Sequence, residues 1–168
     1  MQTFSSMQRN RNDIYFLKNA MFVILIVSYQ VIASLFQSIP PLIGLFFAYV
    51  VILNYEKERN YKDFTHHWYQ SIAYLFLAEQ VHGFELFSVA ITFGIFYYFV
   101  FDYLLTSLKF RNLLLVILVC VGYIGTFLVS NLISYMKNSP KLELSYEYGF
   151  YILVESAIAF LLFRGRIL

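Results

Sequence analysis

The chain is 168 residues long, 60% hydrophobic and 21% aromatic, with 13% charged residues and a net charge of +2. Soluble domains average about 25% charge, so the composition excludes an ordinary soluble enzyme, and no basic run suits nucleic acid. The single cysteine, Cys120, has no partner for an internal disulfide or a metal site.

Residues 1–13 are polar and read as a short tail ahead of a single domain over 14–168. Arg9, Arg11 and Lys18 precede an apolar stretch, as in a signal peptide. That stretch exceeds a typical h-region of about 7–15 residues and runs into a second apolar segment, which argues against cleavage. The chain carries no charge from Asn19 to Tyr55, and Pro40-Pro41 splits this run near its middle. A spanning helix needs about 20 apolar residues, so the run predicts a membrane hairpin with its break at Pro40 and Pro41. Span 1 covers Ile14 to Ser38, with the Lys18 stem able to snorkel to an interface. Span 2, Pro41 to Tyr55, covers only about 22 Å at 1.5 Å per residue, against a hydrocarbon core of about 30 Å. It either crosses a thinned bilayer or is re-entrant and covered by other helices. Re-entry would leave span 1 short as well, so six crossings are expected.

A charged loop, 56–63, leads to span 3, His66 to Ala78, which opens with Trp68 and Tyr69 at headgroup level. The adjacent His66 and His67 point to different helix faces, and serve as interfacial anchors rather than metal ligands. A polar corner, 79–85, precedes span 4, Leu86 to Leu108. Span 5 is Leu113 to Met136, and span 6 is Tyr148 to Phe163. Lysines and arginines cluster in the tail, the 56–63 loop, the 109–112 loop and the C-terminus; the 79–85 corner has none. Both termini are therefore expected to be cytoplasmic.

Asp102 in span 4 and Glu155 in span 6 are carboxylates within apolar segments, at similar expected depths. Such residues usually face the bundle interior. They read either as a proton- or cation-binding pair or as structural acids hydrogen-bonded to a neighbouring helix or to Lys18. No third intramembrane charge completes a relay, which favours the structural role. Glu79, Gln80, His82, Gly83 and Glu85 form either a binding lip for a partner or polar ligand, or a solvated turn in which Gly83 supplies an unusual backbone geometry. Gly122 and Gly125 would let neighbouring helices come close, and Asn131 and Ser134 could bond between helices. No G-x-S-x-G, H-E-x-x-H or Walker loop is present. The residues predict no catalysis, no metal and no cofactor.

The layout resembles the MreD family, the small membrane component of the bacterial rod-shape (elongasome) system. A short basic tail and long first span lead to a proline-opened second span, Ser38-Ile39-Pro40-Pro41-Leu42-Ile43-Gly44-Leu45-Phe46, and then a basic loop. The third span ends on an acidic residue followed by glycine, in Leu77-Ala78-Glu79-Gln80-Val81-His82-Gly83-Phe84-Glu85-Leu86-Phe87. Glu79 and Gly83 stand where the family shows its D-x-x-x-G…L-G pattern. Ile39 stands where the family often has Arg, Glu79 replaces Asp, and Phe87 replaces the second glycine.

The resemblance implies an all-α, six-transmembrane-helix bundle similar to the substrate-binding subunits of energy-coupling-factor (ECF) transporters, located in the bacterial inner membrane. It implies a non-catalytic scaffold of peptidoglycan synthesis and cell shape that binds an MreC-type protein. Through that partner it would connect to MreB, RodA and the RodA transpeptidase. The alternatives are an ECF-type subunit holding a vitamin near Glu79, His82 and Glu85, and an intramembrane enzyme using Asp102 or Glu155.

Overall fold

Pro40 and Pro41 divide the first apolar run as the chain chemistry requires, because residues before proline avoid helical backbone. This computed structural model describes residues 3–163 except 37, 62, 65, 109 and 110, with no side chain described before 17 or at 18, 22 and 111. The side chains of Arg9, Arg11 and Lys18, and the C-terminal Arg164 and Arg166, lie outside what is described.

The described residues form helices joined by turns and irregular loops, with no strand. Helix α1 spans Thr3–Leu35 and α2 spans Ile43–Asn60. Helix α3 spans His66–Val81, and α4 spans Ser88–Phe96. A π-helical turn, Tyr97–Phe101, joins α4 to α5, Asp102–Ser107. Helix α6 spans Arg111–Met136 and α7 spans Glu147–Phe163. Two helical stretches, Ser88–Ser107 and Asn112–Met136, are long and apolar enough to cross a membrane.

Two boundaries differ from the sequence reading. Helical backbone begins at Thr3, ahead of Ile14, and α2 continues through Glu56, Lys57, Glu58 and Arg59 of the expected loop. Glu, Lys and Arg are strong helix formers. Nothing interrupts them until Tyr61, which adopts left-handed backbone (φ 50°) and ends the helix.

Two helix ends use left-handed residues in the same way. Gly83 (φ 75°) follows α3, and the Phe84 N–H returns to the Glu79 carbonyl at 2.9 Å. Asn138 (φ 55°) follows α6, with the Ser139 N–H on the Ser134 carbonyl at 2.9 Å and the Asn138 N–H on the Tyr135 carbonyl at 3.3 Å. Both return bonds satisfy carbonyls that a helix end leaves open.

Helix α6 lies at the centre and packs on α2, α4 and α7, while α2 also packs on α3. Apolar side chains of α2 are buried nearly all round, from Ile43 to Leu53, as expected of an inner helix. Helix α1 lies outside and packs chiefly on α3.

Glycine sets the closest approaches. A Cβ on Gly44 would lie 2.8 Å from the Val119 carbonyl oxygen, and one on Gly122 would lie 2.9 Å from the Gly44 Cα. Helices α2 and α6 therefore cross backbone to backbone. Gly125 admits Thr92 of α4 on the neighbouring face of α6. The two glycines of α6 thus receive two different helices, as their three-residue spacing allows.

Gly44→Ala is expected to lower stability by about 1–3 kcal/mol, because backbone rather than a flexible side chain stands in the way. Gly149→Ala, where a Cβ meets open space, should be neutral or stabilising by up to about 1 kcal/mol. Melting of the purified variants in detergent measures both.

Candidate functional site

Helices α2 and α4 begin with an apolar residue at the cap position. Leu42 (φ 58°) precedes α2 and Phe87 (φ 69°) precedes α4, and neither offers a side-chain acceptor. The first N–H groups of a helix need acceptors, and Ser, Thr, Asp or Asn usually provides one. Here a glutamate from elsewhere provides it at each helix.

Glu155 of α7 is fully buried. One carboxylate oxygen accepts the Leu45 N–H at 2.8 Å, and the other accepts the Tyr123 hydroxyl of α6. The amides of Leu42 and Gly44 lie close enough to add to the same field. The carboxylate thus faces the positive end of the α2 dipole. The close Gly44–Gly122 approach brings that end beside Tyr123.

Glu79, near the end of α3, is also fully buried. It accepts the Phe87 N–H at 3.2 Å, the Ser88 hydroxyl at 2.9 Å and the Val89 N–H. It therefore caps α4 across the tight corner that Gly83 makes.

A polar cluster joins these caps to α1. Tyr29 donates to the Pro40 carbonyl at 2.7 Å. The Pro41 carbonyl accepts both Gln30 Nε2 at 3.0 Å and the Tyr74 hydroxyl at 2.8 Å. Gln30 is fully buried, and its Oε1 meets His82 Nε2 at 3.0 Å. Because the Gln30 amide nitrogen must donate to a carbonyl, its oxygen is the acceptor toward histidine. His82 therefore carries its proton on Nε2.

Glu85 binds the other side of the corner. Its N–H donates to Ser130 Oγ at 2.9 Å, and its carboxylate meets Lys137 Nζ at 2.6 Å and Ser134 Oγ at 3.4 Å. The Lys137 ammonium holds the Glu85 carboxyl below its ordinary value, while burial holds the His82 imidazole below its own.

The expected candidates separate. Glu79, His82, Gly83 and Glu85 do gather at one corner, each engaged within the fold. Asp102 does not join Glu155: it lies on the exposed surface at the first turn of α5, while Glu155 is buried. The cause is the π turn just before it, which carries one residue more than an α-turn and rotates the residues after it. Asn131 also differs from expectation. It bonds to both backbone groups of Leu142, accepting at 2.8 Å and donating at 3.3 Å, and so pins the loop before α7 rather than bridging helices.

The capping role of Glu79 and Glu155 was missed in the sequence, and its only local signal is the apolar cap residue at each capped helix. Among the described residues, no group of three or more His, Cys, Asp or Glu side chains is placed to hold a metal ion. The arrangement secures helix ends.

Glu155→Leu or Glu79→Leu should each cost about 2–4 kcal/mol, because buried N–H donors lose a charged acceptor. Asp102→Asn should stay within about 0.5 kcal/mol, as expected at an exposed position. Denaturant or thermal unfolding of the three variants distinguishes the two roles.

Acidification should remove the contributions of His82 and Glu85 in two stages. The folded imidazole of His82 resists protonation, so the unfolded chain gains protons first as pH falls through about 6.5. The lowered carboxyl of Glu85 contributes stability above the unfolded glutamate value, near 4.5, which is lost as pH falls through its lower folded value. Between about pH 7 and about pH 5, acidification should lower the melting temperature of the unaltered chain relative to that of His82→Gln.

No family model matches the chain, and no curated protein and no solved structure matches it.

Proposed function

We propose that the chain is a non-catalytic, multi-pass scaffold of the bacterial inner membrane, of the MreD type. Its helices would make six crossings with both termini cytoplasmic. It would hold an MreC-type partner and connect that partner to MreB, RodA and the RodA transpeptidase.

One observation carries this reading: Glu155 and the polar groups of the 79–85 corner are engaged in holding helices together. Glu79 and Glu155 cap helices, His82 bonds to Gln30, and Glu85 pairs with Lys137. An ECF-type subunit would need polar groups converging on a ligand at this corner. The hydrogen bonds favour the scaffold over that alternative.

The outermost helix supports the same reading. Helix α1 packs chiefly on α3 and leaves Met21 64%, Leu25 67% and Leu35 72% exposed. A helix so apolar on its free surface suits lipid and another protein's single helix.

Gentle detergent extraction of the tagged chain, followed by mass spectrometry, is expected to recover an MreC-type protein, and depletion should round rod-shaped cells. Recovery of a transporter ATPase pair instead, or unchanged cell shape after deletion, would refute the scaffold.

A further inference from the structure

Helices α3 and α4 are tied together at the Gly83 corner through Glu79. Between them, over Val50 of α2, lies an open apolar cavity of about 240 Å³. Ile72 and Phe76 line one wall, and Val89, Ala90 and Phe93 line the other. Trp68 lies at the end away from the corner. It also lines a second cavity of about 190 Å³, whose walls carry Glu56, Lys57, Asn60 and Asp63. Together the two fall within the roughly 300–1,000 Å³ of ordinary ligand sites.

We propose that this pair of cavities binds one phospholipid with an ethanolamine headgroup, its acyl chain between α3 and α4 and its headgroup among Glu56, Lys57, Asn60 and Asp63. The apolar cavity matches a hydrocarbon chain and little else, because its walls are almost wholly carbon. The adjoining cavity carries both signs of charge. Two carboxylates suit a primary ammonium, which donates three hydrogen bonds. Lys57 and Asn60 suit the phosphate beside it.

An aromatic stack sets that cation in place. Lys57 Nζ sits 3.4 Å from the centre of the Phe64 ring, which stacks on Trp68 at 4.0 Å. Trp68 Nε1 is a buried donor with no partner among the described residues. The Trp68 side chain lines both cavities, at the level where an acyl chain would join its glycerol. An anionic glycerol headgroup would bring its phosphate to the Glu56 and Asp63 side of the cavity without an ammonium of its own. A choline headgroup has no N–H to donate.

The inference rests on the membrane part of the reading above and is independent of the partner. Trp68 is the only tryptophan, so its fluorescence reports occupancy directly. The full chain is reconstituted in nanodiscs, and ethanolamine, glycerol and choline phospholipids with a brominated acyl chain are titrated in turn. The ethanolamine lipid is expected to quench Trp68 at roughly fivefold lower mole fraction than the others, the discrimination that partly exposed ion pairs can give. Ala90→Phe should raise the quenching concentration for all three lipids by narrowing the cavity. Asp63→Asn should keep quenching while evening out the headgroups.

Equal quenching by the three lipids in the unaltered chain would overturn the proposal, since it marks only surrounding bilayer. Unchanged quenching in Ala90→Phe would overturn it too. A chain that does not enter the nanodisc, with no quenching by any lipid, would overturn both this proposal and the membrane reading.

Discussion

Two helices start inside this bundle with apolar residues at their caps, and a buried carboxylate brought from elsewhere neutralises each start. Leaving those N–H groups unpaired would cost several kcal/mol. The arrangement ties α7 to α2 through Glu155, 110 residues away from Leu45, and α3 to α4 through Glu79. The other close contacts depend on it. Gly44 can sit against Gly122 because the helix start beside it is electrostatically satisfied. The Pro40-Pro41 carbonyls can face inward because Tyr29, Gln30 and Tyr74 bond to them.

The same bonds shape the functional reading. A carboxylate fixed by a helix end and a tyrosine is poorly suited to exchange partners during a reaction. A histidine held by Gln30 is likewise committed. The interior thus acts as a frame, and the surfaces left for interaction include apolar helix faces. Helix α1, held mainly through Gln30, Tyr29 and its packing on α3, is the most exposed of them.

Much of the helix layout was legible in the sequence, because apolar runs bounded by charge, proline or glycine have few folding options. The ends of α3, α6 and α7 fall within a few residues of the expected positions. Gly122 and Gly125 were recognisable as sites of close approach, though not which helix each would meet. The Glu155–α2 contact was not legible, since nothing near Leu45 in the chain points to a residue on the last helix. Asp102 was misplaced because one extra residue in a turn leaves composition and hydropathy unchanged. Glu56 to Asn60 looked like a loop because it is charged, yet charge does not oppose helix when the residues are Glu, Lys and Arg.

The turn at Tyr97–Phe101 carries a surplus residue on a helix whose inner side stays regular. Phe93, Tyr97 and Phe101 stack in sequence across it, at 5.4 and 5.2 Å. The aromatic ladder therefore holds the helix in place while the opposite side absorbs the added length. A one-codon deletion within this turn would be a change of orientation rather than of fold: the helix could close into ordinary α geometry, and Asp102 would swing from the surface toward the interior.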